Sequence, residues 1–393
     1  MKTLDFSRSA VGVCVAVAMV AGCGGSHSAL NPTVLDASTR AQHVAAGYGF
    51  VFGFDRRDGA YPEAALTNVN GALYGTTYQG GSKRDGTVFR ITAAGRERAI
   101  YAFANTPDGA HPNAGLTNLS GTLYGTTNVG GRKYFGTVFS VTTDGAERAL
   151  YSFKGGSDGA LPNGVTALHG TLYGTTFSGG NSDGTIFSIS SAGVERVLFR
   201  FAGTPDGANP RASLTAFNGT LYGTTVGGGT NGCGTVFSVT STGTERVLYS
   251  FKGGNDGANP YAGLTVVNGS LYGTTYNGGA PGSGTFFSIS TAGKERVLYS
   301  FKGGSDGAAP SARVTDVNGT LYGTTVAGGA SGAGTLFSVT TTGKERVIHS
   351  FGGRPDGANP QADLTLRNGT LYGTTLKGGT HGLGLGTVFT LTP

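Results

Sequence analysis

The pentad Leu-Tyr-Gly-Thr-Thr begins at Leu73, Leu123, Leu172, Leu221, Leu271, Leu321 and Leu371, at spacings of 50, 49, 49, 50, 50 and 50 residues. A period held that closely along the chain means one supersecondary unit packed against copies of itself. Asp-Gly-Ala keeps step, starting at Asp58, Asp108, Asp158, Asp206, Asp256, Asp306 and Asp356. So does Gly-Thr-x-Phe, from Gly86, Gly136, Gly184, Gly234, Gly284, Gly334 and Gly386. Glu-Arg, however, recurs in register only six times, at Glu97, Glu147, Glu195, Glu245, Glu295 and Glu345, each Glu 11 residues before the next Asp-Gly-Ala.

One unit reads as four strands. In residues 262–301, AGLTVV and SLYGTT flank Asn-Gly. That pair is the strongest short-range hairpin signal, because a type I′ turn needs φ > 0 at both central residues. Five of the seven units have Asn-Gly here; the others have Ser120-Gly121 and His169-Gly170. TFFSIS and ERVLYSF follow, joined by TAGK. Alternation puts Val297, Tyr299 and Phe301 on one side of the last strand and Leu298 on the other, and a strand apolar on both faces is buried between layers. Glycine (73) and proline (13) reach about 22% of the chain, near low-complexity levels. A periodic 38% hydrophobic content excludes disorder.

Four antiparallel strands per unit, seven times over, describe a propeller or an open solenoid. The missing seventh Glu-Arg strand decides between them. The chain ends at Pro393, just after a third strand, and YGFVFGF at 48–54 stands where a fourth strand belongs. A linear array has no reason to split a repeat between its termini. In a ring, pairing the N-terminal strand with the last three removes both exposed edges. The expected fold is therefore an all-β, seven-bladed β-propeller of four-stranded antiparallel blades over residues 47–393, closed by that strand.

The phrase LYGTT…GG…GTVF, repeated over residues 48–393, resembles that of the choice-of-anchor tandem-repeat proteins called GloVer. The resemblance implies a repeat domain carried on interchangeable anchors, and it brings no catalytic residue with it.

Residues 1–22 have the form of a bacterial lipoprotein signal: Lys2 and Arg8, a short apolar core, then Val20-Ala21-Gly22-Cys23. The resemblance of that ending to a lipobox implies cleavage and lipidation at Cys23, and Gly24 rather than Asp favours outer-membrane sorting. Residues 23–46 read as a lipidated N-terminus and flexible tether. The expected location is the bacterial cell envelope, with the membrane reached only through the lipid. No later segment is apolar for the roughly 18 residues a spanning helix needs. With Cys14 lost and Cys23 acylated, Cys233 is expected to stand alone.

The formal charge of +6 falls to +5 when Lys2, Arg8 and Asp5 leave with the leader. Without a basic helix or RNA-binding motif, nucleic acid is not an expected partner. The Asp-Gly-Ala aspartates read as turn caps and the Glu-Arg pairs as cross-strand or inter-blade pairs. Six histidines, His27, His43, His111, His169, His349 and His381, show no metal-ligand spacing, so neither metal nor cofactor is expected. Absence of Trp weighs against a quinoprotein dehydrogenase.

Function is to be sought where the seven-fold pattern breaks. The loops after LYGTT are mostly small and neutral, but the first two carry Lys83-Arg84 and Arg132-Lys133-Tyr134. Arg56 and Arg57 precede the first Asp-Gly-Ala, and ring closure brings Lys377 and His381 of the last unit beside them. These nine residues form a candidate patch for an anionic ligand. The expected function is a monomeric binding or scaffold module for a protein or anionic glycan. A hydrolase, lactonase or lyase at the channel mouth is the alternative, and a purely structural envelope or adhesion protein a third.

Overall fold

The computed structural model describes residues 47–393; the signal, the tether and Cys23 lie outside them. Seven four-stranded antiparallel sheets stand around a channel. Blade 1 runs outward from Thr67–Val69 through Ala72–Thr77 and Thr87–Ile91 to Glu97–Ala102. Blade 7 is built from Thr365–Arg367, Thr370–Thr375 and Thr387–Leu391, and its outer strand is the N-terminal Tyr48–Gly53. Tyr48 lies opposite Leu391 and Phe50 opposite Phe389. The split repeat is a closure strand.

Each first hairpin turns as its sequence requires. Asn70 and Gly71 have φ of 49° and 79°, and Ser120-Gly121 and His169-Gly170 adopt the same pair of positive angles. In the strand that follows, alternation sends Leu73 into the apolar cluster shared with blade 7 and Tyr74 into the one shared with blade 2. Gly75 lies opposite Phe89, and a Cβ there would come within 2.5 Å of the Phe89 ring. The glycine of the pentad thus makes room for an aromatic ring of its own blade. Its second threonine is buried, with Thr77 Oγ1 2.8 Å from Thr87 Oγ1 on the neighbouring strand.

The core is seven inter-blade layers rather than one centre. Within each, the Phe that follows the outer strand meets edge-on the Phe of the next blade's Gly-Thr-x-Phe. Centroid separations are 5.0 Å for Phe54–Phe89 and Phe103–Phe139 and 5.2 Å for Phe351–Phe389. Burying each ring contributes about 1.5–3 kcal/mol, and each edge-to-face pair about 0.5–1.5 more. A second circle runs around the channel. The first-strand threonines Thr67, Thr117, Thr166, Thr215, Thr265, Thr315 and Thr365 each donate to a backbone carbonyl of the next blade, ending with Thr365 on Leu66 at 2.5 Å.

Outer strands are joined by acids. In most blades a Tyr hydroxyl donates to the following Asp-Gly-Ala carboxylate, as Tyr151 does to Asp158 at 2.7 Å and Tyr299 to Asp306 at 2.7 Å. The next blade's Glu lies close to that Asp. Burial first, then the aspartate charge, pushes Glu147, Glu195, Glu245, Glu295 and Glu345 up to about 7 and Glu97 up to about 8. The Oε1 atom of all six is buried without a hydrogen-bond partner. At the closure His349 replaces the Tyr and Tyr48 replaces the Glu. Asp356 takes Tyr48 Oη at 2.6 Å and pairs with His349 Nε2 at 3.0 Å, while the two rings stack at 3.8 Å. Burial would raise the Asp356 pKa, but these partners and the Gly352 amide outweigh it and hold it low.

Cys233, expected to stand alone, is buried, and its sulfur is already engaged. Counting cysteines along the chain could not show this, since engagement depends on what the fold brings to the sulfur. Among the described residues no helix is long and apolar enough to cross a membrane.

Candidate functional site at the channel mouth

Every blade is entered through the same turn. Asp-Gly-Ala is followed by a residue with φ near +57°, from Tyr61 (59°) to Asn359 (54°), and then by proline. The proline packs on the previous blade's Gly-Thr-x-Phe glycine: a Cβ on Gly86 would lie 2.7 Å from Pro112 Cδ. That amide-to-carbonyl seam (His111 N to Asp85 O, 2.8 Å) fixes the turn to the blade behind it. The chain then drops into the first strand, so the residue just after proline is delivered to the channel mouth.

That residue differs almost everywhere. It is Glu63, Asn113, Asn163, Arg211, Tyr261, Ser311 and Gln361 in blades 1 to 7, and all seven line one basin of about 750 Å³. Two positions on, Ser213, Arg313 and Asp363 join them where other blades carry Ala65, Gly115, Val165 and Gly263. The ring repeats its joints and varies this circle.

Several members are held. Arg313 Nε stands 3.6 Å from Asp363 Oδ2, its backbone N–H donates to Asp363 Oδ1 at 2.8 Å, and its guanidinium reaches across blade 5 to Ser213 O at 3.3 Å. It crosses there because blade 5 has Gly263, where a Cβ would come within 2.6 Å of the guanidinium. Asn163 is buried and donates to Pro210 O at 2.8 Å. In the same arc, on blades 4 and 5, Arg211 lies 5.0 Å over the Tyr261 ring, which meets Tyr276 at 4.8 Å. Burial, then Tyr261, pushes the Tyr276 hydroxyl up, and Arg211 partly opposes this. Burial pushes Glu63 up to about 7, with Arg211 pulling it down only in part. Asn113 Oδ1 and Ser311 Oγ are buried polar atoms without a hydrogen-bond partner. The basin thus offers a carboxyl titrating near neutrality, a guanidinium on an aromatic wall, and uncommitted amide and hydroxyl groups.

The nine residues of the sequence-derived patch lie elsewhere. The Asp-Gly-Ala turns and the loops after LYGTT do share a face, since Ala60 and Gln79 exchange backbone hydrogen bonds of 2.7 and 3.0 Å. Arg56, Arg57, Lys83, Arg84, Arg132, Lys133, Tyr134, Lys377 and His381 are all exposed there, but none lines the basin. His381 is near enough to Asp55 and Asp58 to bias both carboxylates, so blade 7 does meet blade 1 at this rim. What the loops give the basin is their first residue, Tyr276 and Val326. The variable circle itself was missed. Aligning the repeats on the invariant proline exposes it, because the next position is a polar column without a consensus. Among the described residues no group of three His, Cys, Asp or Glu gathers as a metal site.

A closed seven-bladed propeller with a polar, non-repeating basin at one end of its channel defines the class of protein. The model of the Gloeobacter/Verrucomicrobia repeat matches residues 31–183 and 165–389, and the chain belongs to that family. No curated protein matches the sequence. Solved structures share the fold at low identity. The quinohemoprotein alcohol dehydrogenase from Comamonas testosteroni is 13% identical, with a TM-score of 0.54 over 90% of this chain and 78% of that one. A puromycin hydrolase is 14% identical with a TM-score of 0.50 over 84% of this chain, which spans 53% of the hydrolase. The Trypanosoma rangeli sialidase is 12% identical with a TM-score of 0.47, covering 88% of this chain and 59% of the sialidase. At such identities the likeness is one of fold.

Proposed function

We propose that this chain is a lipid-anchored, extracytoplasmic binding module of the bacterial envelope that holds a glycan or protein ligand in the basin at its channel mouth. One observation carries the reading: in a ring whose joints repeat blade after blade, the residues after the seven prolines diverge and converge on one basin of about 750 Å³. A purely structural ring has no need of Glu, Arg, Tyr and Gln at equivalent positions. The basic rim across blades 7, 1 and 2 suits a supporting role, drawing an anionic ligand toward the mouth by its field. The test is capture of ligands from envelope extract by the mature protein and by a variant carrying Arg211→Ser, Tyr261→Ser and Gln361→Ser, which copies the residue blade 6 uses. The variant should lose the captured ligand; equal capture by both would remove the basin from the function.

A hydrolytic role has one observation in its favour, the Glu63 carboxyl held near 7 inside the basin, where an acid or base works best at neutral pH. Glu63→Gln separates the readings, because it would abolish turnover of a captured ester or glycoside while leaving its binding in place.

A further inference from the structure

We propose that the basin selects a carboxylate-bearing saccharide, of the uronic acid type, seated with its acid group on Arg211 and its ring against Tyr261 and Tyr276. The proposal rests on the basin being the ligand site and goes on to name what fills it.

The two guanidiniums of the basin differ in what they have left to give. Arg313 is committed to Asp363 and to the carbonyl of Ser213. Arg211 is exposed and, among the described residues, within ion-pair distance of no carboxylate. Its place over the Tyr261 ring keeps the planar fork oriented rather than free to wander, and such a fork matches a carboxylate with two parallel hydrogen bonds. Phosphate or sulfate would also suit the charge. The rest of the basin argues against a ligand that only accepts hydrogen bonds. Asn113 Oδ1 is an acceptor without a donor, and Ser311 Oγ is without any partner. Both residues line the basin, and ligand hydroxyls that reach these atoms would satisfy both. The joined Tyr261 and Tyr276 rings give an apolar wall with polar tips, suited to the C–H face of a pyranose. A group that combines one carboxylate, several hydroxyls and an apolar ring face is a sugar acid.

The test uses the mature full-length protein with digalacturonate and the neutral disaccharide galactobiose as probes, followed by titration calorimetry. Wild type should bind digalacturonate at least about tenfold more tightly than galactobiose, a difference of about 1.4 kcal/mol. Arg211→Gln should erase that preference, bringing digalacturonate affinity down to that of galactobiose, and Arg211→Lys should restore only part of it. Tyr261→Ala should weaken both probes. Equal affinity for the two probes in wild type, or an undiminished preference in Arg211→Gln, overturns the choice of a sugar acid and leaves the basin as the binding site. If neither probe binds, the sugar acid falls; if capture from envelope extract also survives the triple Ser variant, the basin falls with it. Unchanged thermal unfolding of Arg211→Gln confirms that its effect is on the site.

Discussion

Raising the pH from about 5 to about 8 removes protons from six glutamates that the fold holds beside aspartates at successive blade joints. Each has its carboxyl pushed from an ordinary 4.5 up to about 7, or about 8 for Glu97, by burial first and the neighbouring aspartate second. Between the ordinary and the raised value the folded state binds more protons than the unfolded chain, so stability falls as pH rises. The contribution is fully present below about 4.5 and is lost by the time the pH has passed about 7 to 8. At about 1.4 kcal/mol per tenfold change in proton affinity, each site corresponds to about 3 kcal/mol. These side chains are only half-buried, and solvent screening reduces that to about 1 kcal/mol. Six sites then sum to about 6 kcal/mol, against the 5–15 kcal/mol or so by which domains are usually stable. Urea unfolding at about pH 5, 6.5 and 8 measures it directly, with the slope of the transition checked for constancy. Glu→Gln at all six positions should flatten the profile, since an amide keeps the shape and carries no titrating proton. Glu147→Gln alone should remove roughly one sixth of the effect. A wild-type protein equally stable at both ends of that range, or a six-fold variant with the same slope, would refute the acid-pair account.

Other consequences can be checked separately. Tyr48→Phe removes the hydroxyl that Asp356 accepts at the ring closure and should cost about 1 kcal/mol in urea unfolding. Deleting residues 48–54 leaves blade 7 without its outer strand and should abolish the single cooperative transition. Gly75→Ala sets a methyl within 2.5 Å of the Phe89 ring and 2.7 Å of Leu66 Cδ2, an overpacking worth about 1–3 kcal/mol. Changing Lys83, Arg84, Arg132 and Lys133 to Ala should slow association of an anionic ligand and flatten its salt dependence while leaving dissociation unchanged, as stopped-flow traces at two ionic strengths would show. Cys23→Ser should release the protein from membranes in a fractionation assay; continued membrane association would dismiss the lipid anchor.

The sequence by itself determined the ring. Hairpin turns, strand alternation and repeat length are local properties. Asn70-Gly71 adopts its turn, and Leu73 and Tyr74 their opposite faces, because neighbouring residues along the chain suffice to dictate both. Even closure was legible, since the displaced strand at 48–54 is a matter of counting. The location of the basin was not. Charged loops such as Lys83-Arg84 stand out in a linear reading, yet they end on the rim, while Glu63, Arg211 and Gln361 look unremarkable beside their prolines. They become a site because a φ of about +57° and a proline seated on the preceding blade's glycine turn seven positions about 50 residues apart toward one axis. The same closure gathers Arg313, Gly263 and Ser213 from three blades into one contact. Convergence at a channel is a property of the closed circle, and only the tertiary structure could decide which residues meet there.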